Sequence, residues 1–368
     1  VAFKKCKIEK KELTLSYVST DDVIENLKTL ENVKNQIKFS VQTNVKIIDM
    51  RREFRAGNYS MLSRYTSKRI KEELEKNNNI ALLLNRKPYA TFVMCRECGY
   101  VLKCPVCNSI LYFDIKKGSL YCPVCGYSQK PVEKCPRCGS IAIHYFGGGL
   151  QKLEKLLKKE FTTENLTLLT GETKIEIASS RSFKRTIFAG TEYITEHLDF
   201  SNISLFIFVS IDTFINSYDF EASFNALRVS SSVIYEMKNN EVIFQTYMPE
   251  NAQIQAIKST DHSKFIIDEL ELRKELGYPP SRNLIVLKIF DNYEKAKDIA
   301  SSLAKNFENC YILGPTISTS TLSKISYEIS IKTEEKLENL FGQVQAIMNK
   351  AGVVYKLYVY PAPAIILC

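Results

Sequence analysis

Eight of the chain's eleven cysteines lie between residues 95 and 138, arranged as four Cys-x-x-Cys pairs. The pairs are Cys95/Cys98, Cys104/Cys107, Cys122/Cys125 and Cys135/Cys138. Two thiolates in one tight turn reach the same ion, and two such turns close a tetrahedral zinc site with metal–sulfur distances of about 2.3 Å. Gly99, Gly126 and Gly139 follow three of the pairs, where the chain has to turn sharply. The spacing therefore predicts two four-cysteine zinc sites, with two Zn²⁺ ions per chain.

Other uses of paired cysteines stay open on residue type alone. A disulfide framework is typical of short secreted chains, whereas this chain has 368 residues. Redox Cys-x-x-Cys pairs are a second alternative, but four in a row have no obvious redox use. Iron–sulfur ligation is a third, although the pairs lack the clustered spacing of ferredoxins. Zinc is the interpretation that the pattern favours.

The length of 368 residues predicts two domains or slightly more, and a hydrophobic content of 45% is that of a globular protein. No apolar run approaches the roughly 20 residues of a membrane-spanning helix, so no membrane partner is expected. Residues 1–5 (VAFKK) show no apolar signal segment. Together with reduced, metal-binding cysteines, these features predict a cytoplasmic location.

The formal charge of +9 suggests an anionic partner but has to be corrected for the metal sites. The stretch from Cys95 to Cys138 holds seven Lys or Arg and three Asp or Glu, a surplus of four positive charges. Two Zn(Cys)₄ centres bring eight thiolate charges against four from the metal, so the whole chain falls to about +5. Charge alone is therefore weak support for nucleic-acid binding.

Apolar segments alternate with amphipathic ones through the first two thirds of the chain. Residues 80–84 form a continuous apolar run typical of a buried parallel strand, and Leu150–Phe161 carries one apolar stripe typical of a helix. Further predicted strands lie at 45–48, 166–169, 186–189, 203–209 and 242–246, with a helix at 60–76. This alternation predicts a parallel α/β sheet with helices on its faces.

Beyond Pro249 the pattern changes. Residues 254–276 are predicted as mainly helical, ending at the stop signal Gly277-Tyr278-Pro279-Pro280. A strand, helix, two strands, helix and strand follow, at 284–290, 293–307, 311–313, 326–331, 333–350 and 354–360. That order predicts a small split β-α-β domain.

Read with their flanks, the cysteine pairs resemble the bacterial primosomal protein N′ family, the PriA replication-restart helicases. The stretches that carry the resemblance are 47–51 (IIDMR), 83–90 (LLNRKPYA), 95–138, 190–192 (GTE) and 271–280 (ELRKELGYPP). The resemblance covers nearly the whole chain and depends on the order and spacing of these pieces.

The resemblance implies a RecA-like helicase lobe, a parallel sheet with flanking helices, that carries an inserted two-zinc cysteine-rich module and is followed by a small α+β C-terminal domain. It implies that residues 1–43 are a remnant of the end of helicase lobe 1, and that 44–94 and 141–258 form lobe 2. The zinc insertion is 95–140 and the C-terminal domain 259–368.

The resemblance also implies nested zinc sites. The outer site would use Cys95, Cys98, Cys135 and Cys138, and the inner site Cys104, Cys107, Cys122 and Cys125. The inner pairs enclose 108–121, which is enough for a hairpin with its turn near Lys117-Gly118. Spacing alone also allows the two sites to lie side by side.

The residues that such helicases use to hydrolyse ATP are missing. No G-x-x-x-x-G-K-[ST] phosphate loop occurs, and Asp268-Glu269-Leu270-Glu271 reads as a solvated helix face rather than a Mg²⁺ motif. Where the family has Gly-Thr-Gln-Met-x-x-Lys-Gly, the lysine and glycine positions hold Glu196 and His197. Ser232 and Tyr235 stand where the family has two arginines, and Arg228 is a candidate displaced substitute.

Three functional hypotheses follow from the resemblance, the last being a diverged remnant with only a structural zinc role. The first is a replication-restart primosome protein that binds zinc and forked DNA and acts as a scaffold, with no catalytic residues of its own. Its partners would be DNA forks and single-/double-strand junctions, single-strand-binding protein and helicase-loading proteins. The alternative is the C-terminal part of an active ATP-dependent 3'-5' DNA helicase whose first lobe is absent from this chain, which leaves its status as an enzyme open.

Several basic and aromatic residues are candidates for DNA contacts, each with a structural alternative. The basic candidates could equally be solvated faces, and they are Arg51, Arg52, Arg55, Lys68, Arg69, Lys152, Lys155, Lys158 and Lys159. Tyr112 and Phe113, between the inner pairs, could stack on an exposed base or pack against the zinc hairpin.

Overall fold

The computed structural model describes residues 43–85, 91–114, 117–146, 149–161, 165–170, 184–216, 221–259, 262–318, 326–335 and 337–360. One compact unit comprises residues 39–122 and 127–262, and a second includes 263–368. The predicted lobe 1 remnant at 1–43 lies outside the described residues except for Thr43. The predicted domain limits stay predictions.

The strands are numbered in chain order. They are β1 (Asn44–Asp49), β2 (Asn79–Leu83), β3 (Thr91–Cys95), β4 (Tyr112–Asp114), β5 (Ser119–Tyr121), β6 (Ser128–Gln129), β7 (Ile143–Phe146), β8 (Asn165–Leu169), β9 (Thr186–Gly190), β10 (Ile203–Phe208), β11 (Glu241–Thr246), β12 (Asn283–Ile289), β13 (Tyr311–Ser318), β14 (Ser326–Thr333) and β15 (Tyr355–Tyr360).

The helices are numbered likewise. They are α1 (Met50–Arg55), α2 (Arg64–Glu75), α3 (Leu150–Glu160), α4 (Ile194–His197), α5 (Asp212–Ile215), α6 (Ala222–Glu236), α7 (Ala252–Lys258), α8 (Ser263–Leu276), α9 (Tyr293–Asn306) and α10 (Leu337–Ala351), with a 3₁₀ turn at Phe200–Asn202. Among the described residues, no helix combines the length and the apolar character needed to cross a membrane.

A six-stranded sheet in the order β1-β11-β10-β2-β9-β8 is the centre of the first unit, and all of its strand pairs are parallel. Every residue of β2, β9 and β11 is buried, as expected for strands covered on both faces. Helix α3 packs its stripe of Leu150, Leu153 and Leu157 into this core. The predicted parallel α/β fold is confirmed.

The cysteine stretch forms a second, five-stranded antiparallel sheet in the order β6-β5-β4-β3-β7. The predicted hairpin is present as β4 and β5, with Gly118 at a φ of 62° in its turn. The sheet runs beyond the predicted 95–140 at both ends, because β3 and β7 pair with each other and carry the chain into and out of the module. We call residues 91–146 the cysteine module.

The second unit carries a four-stranded antiparallel sheet in the order β13-β14-β12-β15, with α9 and α10 packed on one face. Its strand and helix order is the predicted split β-α-β arrangement. The antiparallel pairing and the shared core of sheet and helices confirm the predicted α+β C-terminal fold.

Two predicted helices differ from the structure. The helix predicted at 60–76 begins only at Arg64, because Ser63 is extended and its side chain caps the backbone N–H of Thr66. The mainly helical stretch predicted at 254–276 contains two helices, α7 and α8, because the C-cap of α7, Ser259, is extended. Serine side chains compete with the helix for backbone hydrogen bonds, and this favours the end of a helix at such a residue.

Core packing by α3 can be tested with a matched pair of substitutions. Leu153 is fully buried against the sheet, whereas Leu156 is only partly buried beside it. We expect Leu153→Ala to lower the free energy of unfolding by about 2–5 kcal/mol, because it leaves a cavity in the core. Leu156→Ala should cost about 1 kcal/mol. Urea denaturation followed by circular dichroism measures both, and equal losses would contradict the assigned face of the helix.

Candidate metal centre

The outer group of cysteines comes from two turns far apart in sequence. Cys95 ends β3, and Cys98 follows in the same turn, which is closed by the Gly99 N–H donating to the Cys95 carbonyl at 2.9 Å. Cys135 and Cys138 form a second turn of the same kind, closed by Gly139 at 2.8 Å. All four sulfurs lie within 4.8 Å of one another.

The inner group repeats this geometry. The sulfurs that lie within 4.8 Å of one another are those of Cys104, Cys107, Cys122 and Cys125. The first inner pair is followed by Asn108 rather than glycine, and Asn108 takes the left-handed conformation with a φ of 58°. Asparagine is the residue that best replaces glycine there, so each of the four pairs ends in a positive-φ turn.

The two groups are nested, since the first cysteine pair meets the fourth and the second meets the third. The side-by-side arrangement that spacing allowed is not what the structure has. The module thus has an outer group where β3 enters it and an inner group at the base of the β4–β5 hairpin.

The sulfur positions suit a tetrahedral metal ion. The Cys95–Cys138 and Cys98–Cys135 sulfur pairs are each 3.7 Å apart, and the Cys107–Cys122 pair is 3.4 Å apart. Tetrahedral bonds of about 2.3 Å place neighbouring sulfurs roughly 3.8 Å apart, whereas a disulfide needs about 2.05 Å. The spacing and the all-thiolate donor set therefore fit a bound metal better than a disulfide framework.

Electrostatics make the same point for the outer group. Burial raises the pKa of the Cys98 thiol to about 12, and the neighbouring sulfurs of Cys138, Cys135 and Cys95 push it in the same direction. Burial also raises the pKa of the Cys95 thiol, whereas a hydrogen bond from the Ser140 backbone lowers the pKa of Cys138. Metal binding requires thiolates, and a bound cation would compensate the charge of the buried ones. The four-cysteine groups can each hold one metal ion.

Tyr112 and Phe113 do not form a base-stacking surface. Tyr112 is 1% exposed, and its hydroxyl donates to the Asn216 carbonyl at 2.8 Å. The ring of Phe113 packs against Tyr145, with 4.5 Å between ring centroids. The structure has the packing alternative, with Phe113 packed inside the module and Tyr112 in an apolar cluster that also contains Met50 and Tyr247.

Among the basic candidates on α1 and α2, several are paired with carboxylates. Arg69 donates to Glu241 at 2.7 Å and to Glu73 at 2.9 Å and also contacts Glu72, so three carboxylates already engage its guanidinium. Arg51 bridges Asp49 and Glu250, at 2.8 and 2.6 Å. A guanidinium that donates its hydrogen bonds to paired carboxylates has few donors left for a phosphate.

The lysines of α3 are placed differently. Lys152, Lys155, Lys158 and Lys159 are all exposed, on the side of the helix opposite its buried stripe. Lys158 pairs with Glu154 at 2.6 Å, within the same helix. Arg52 on α1 and Lys68 on α2 are also mainly exposed, at 85% and 74% of the side chain. These side chains are available to solvent.

The altered motif positions lie on one exposed face of α6. Arg228, Ser232 and Tyr235 follow one another at helical spacing, and all three are exposed. Arg228 donates to Glu192 at 2.8 Å, so the candidate substitute for the lost arginines is engaged in an ion pair. On α4, the His197 ring stacks on Tyr193 with 3.6 Å between centroids.

A buried carboxylate escaped the sequence analysis. Asp212 directly follows Ile211 after β10, and its carboxylate accepts hydrogen bonds from the Thr246 hydroxyl at 2.6 Å and the Tyr247 N–H at 2.9 Å. Burial raises its pKa to about 6, against the opposing effect of these hydrogen bonds. The signal in the sequence was an acidic residue three positions past an apolar strand, where parallel strands end.

Comparisons with known proteins give one family model and a consistent set of relatives. The family model described as Trm112p-like protein matches residues 101–128, within the cysteine module. The replication restart protein PriA of Bacillus subtilis is 31% identical over 344 residues, covering 89% of this chain and 42% of the relative.

Two further relatives carry the same name. The protein of Synechocystis is 34% identical over 266 residues, covering 68% of this chain and 32% of the relative. That of Thermotoga maritima is 30% identical over 322 residues, covering 84% and 43%. The chain spans less than half the length of these curated relatives.

The raised pKa of Asp212 predicts how the free energy of unfolding depends on pH. The native state keeps this proton up to about pH 6, while the unfolded chain loses it near 3.8. Its contribution to the free energy of unfolding therefore falls as the pH rises from 4 to 6 and is constant above. Relative to Asp212→Asn, the wild type should lose about 3 kcal/mol across this window, since one pKa unit is about 1.4 kcal/mol.

Urea denaturation of both proteins at several pH values, followed by circular dichroism, measures this difference. The effect of cysteine protonation on stability is common to both proteins and cancels in the comparison. Asp49→Asn is the matched control. Burial raises the pKa of Asp49, but its hydrogen bonds and charge interaction with Arg51 lower it overall, so the trend should have the opposite sign. A difference for Asp212→Asn that is flat or rises with pH would contradict the assignment.

Proposed function

Because the chain belongs to the PriA family of replication-restart proteins, we propose that it binds zinc and forked DNA and serves as a scaffold for primosome assembly. The observation that carries the proposal is a contrast between the cysteine groups and the nucleotide-motif positions. All eight module cysteines are present and grouped in fours, while the family's nucleotide-motif positions hold other residues. The part that could hold metal is complete, and the part that would hydrolyse ATP is not.

Zinc would be held by the outer and the inner four-cysteine group, one ion in each. When bound, the ion supplies a structural cross-link between turns that are far apart in sequence. The chain's own residues do the rest: buried Leu102, Leu111 and Leu120 pack between the strands, beside Cys104 and Cys122. The metal-bound module would be a small rigid sheet rather than a reactive centre.

DNA would be attracted mainly by side chains outside the module, because the metal–thiolate centres cancel the module's basic surplus. The exposed lysines of α3 are the best candidates on the first unit. Contacts of this kind bind phosphates without reading sequence. That behaviour suits a protein that recognises the shape of a fork or junction.

Single-strand-binding protein and helicase-loading proteins are the partners we propose, in the cytoplasm. A scaffold needs no turnover of its own. Arg228 supports this proposal, since its guanidinium is paired with Glu192 instead of standing free to stabilise a transferring phosphate. Ser232 and Tyr235 provide no guanidinium at the neighbouring positions of α6.

The alternative function is the C-terminal part of an active 3'-5' helicase. One observation favours it: the relatives are more than twice as long as the region that this chain matches. ATP turnover by the longest natural product, measured with forked DNA, decides between the two. Turnover that is lost on changing the phosphate-loop lysine of that product would establish the helicase and end the scaffold-only proposal.

The metal content tests the zinc proposal directly. We expect two zinc ions per chain by inductively coupled plasma mass spectrometry, and about one in each of Cys98→Ser and Cys107→Ser, because a three-cysteine group binds zinc less tightly. Cys310→Ser, in the second unit, should retain two. One ion or none in the wild type, or the visible absorbance of an iron–sulfur cluster, would refute the proposal.

Salt dependence tests the DNA proposal. We expect the affinity for a forked duplex, measured by fluorescence anisotropy, to fall as salt rises, because bound phosphates release counterions. Replacing Lys152 and Lys155 by Gln should lower the slope of log K against log salt by up to about 2.

The charge-matched control replaces Lys68 and Lys76 by Gln on α2. Both of these lysines pair with glutamates, Lys68 with Glu72 at 3.6 Å and Lys76 with Glu73 at 3.0 Å. We expect the control to leave the slope nearly unchanged. Binding that is absent or independent of salt would contradict the DNA proposal, and equal effects of the two double variants would remove α3 from it.

A further inference from the structure

We infer that the two four-cysteine groups have different tasks: the outer group is the joint that fixes the cysteine module on the parallel sheet, and Arg96 is its positioning residue. The inner group lies at the base of the β4–β5 hairpin, and a valine in each of its two turns is exposed. The inference rests on the proposed metal sites and assigns a task to each of them. It follows from what the residues inside each Cys-x-x-Cys turn touch.

Arg96 lies between Cys95 and Cys98, and it reaches out of the module. Its Nε donates to the Tyr247 hydroxyl at 2.8 Å, where the chain leaves β11 of the parallel sheet. Its guanidinium also lies over two rings, 5.0 Å from the centroid of Phe54 on α1 and 5.5 Å from that of Tyr247. Both contacts are with residues of the lobe, so the side chain ties the outer turn to two of its elements.

The other residues of this turn make the same connection. Arg55 of α1 donates to the Glu97 carboxylate and to the Glu97 carbonyl, both at 2.6 Å. Gly99 has a φ of 75°, and a Cβ built on it would lie 2.1 Å from the Tyr247 carbonyl oxygen. The turn therefore fits flat against the end of β11, and only glycine allows this approach.

An apolar cluster fills the space beneath the turn. Met50 and Tyr247 of the parallel-sheet region pack with Phe92 and Met94 of β3 and with Tyr112 of β4. The backbone of Tyr247 is fixed as well, since its N–H donates to the buried Asp212 carboxylate. The joint thus has two parts. Arg96 and Glu97 form the charged part, and the apolar cluster around Tyr247 forms the other.

The inner turns are exposed at their middle positions. Val106 and Val124, which lie inside the two inner turns, are 69% and 51% exposed. Gly126 has a φ of 74°, yet no described atom lies within 4 Å of a Cβ built there. In the second outer turn, Arg137 is exposed as well. Of the four turns, Cys95–Gly99 alone carries this set of contacts to the lobe in the part of the chain that the structure describes.

A metal ion at the outer group would hold this turn in shape. It would bind Cys95 and Cys98 to Cys135 and Cys138, and so keep the Arg96 and Gly99 positions presented to Tyr247. Without the ion, the turn retains two backbone hydrogen bonds. The Gly99 N–H donates to the Cys95 carbonyl, and the Cys95 N–H donates to the Tyr100 carbonyl. Loss of the inner ion would leave the Arg96 contacts unchanged.

Hydrogen–deuterium exchange on the full chain tests the positioning role without removing a ligand. Arg96→Gln should keep two zinc ions per chain yet raise exchange at residues 96–100 and 246–251 by roughly tenfold, because a hydrogen bond and two ring contacts are lost. Arg137→Gln is the matched control, an arginine in the other turn of the same group, and should change exchange in neither segment. Equal effects of the two variants would overturn the inference.

Two further pairs keep the test independent of any one variant. Gly99→Ala should raise exchange at 246–251, whereas Gly126→Ala, which has the same positive φ, should not. Cys98→Ser should raise exchange at 246–251 by at least as much as Arg96→Gln, and Cys107→Ser should leave it near the wild-type value. An equal rise in both members of either pair would show that the groups do not differ.

Metal content measured on the same samples separates this inference from the proposed function. A wild type without zinc fails the proposed function. A wild type with two zinc ions and salt-dependent fork binding, in which Arg96→Gln behaves like Arg137→Gln, fails the inference alone.

Discussion

Repulsion between closely placed thiolates is the constraint on which the cysteine module depends. Inside each group the four sulfurs lie within 4.8 Å, and around Cys98 burial and neighbouring sulfurs oppose ionisation. The strands that join the groups are short, with three residues in β4, three in β5 and two in β6. These strands are at or below the short end of the usual range. A cation bound in each group would oppose the repulsion and cross-link the turns.

The sequence predicted those features of the fold that depend on local pattern. The apolar run of β2 and the stripe of α3 both identify their element without tertiary information, because burial on two faces or on one leaves a direct trace in residue order. The start of α2 was missed, because Ser60 and Ser63 are both acceptable caps by type. Only the packing of Leu62 and the bond from Ser63 to Gln245 select the second.

Site features that depend on distant partners could not be read in this way. Arg69 looks like a phosphate ligand until Glu241, 172 residues away, is brought beside it. Tyr112 looks like a stacking platform until β4 is folded against Asn216. Asp212 is an unremarkable acid in sequence, and its burial comes from strands that meet only in the sheet. Cysteine spacing was informative because a tetrahedral ion imposes geometry on residues within one turn.

Charge and shape have to be separated to understand how the module could act on DNA. Two metal–thiolate centres would balance its seven basic and three acidic residues, so the metal-bound module would add almost nothing to the long-range attraction of phosphate. Its contribution then depends on where it stands, and that depends on the turn from Cys95 to Gly99. On the proposed function, a neutral element whose direction is fixed by Arg96 and Tyr247 would act on a DNA branch by shape, while the lysines of α3 would supply attraction that does not depend on direction. The contacts of the turn from Cys95 to Gly99 go to α1 and to Tyr247 after β11, whereas the positions of the replaced motif arginines lie on an exposed face of α6.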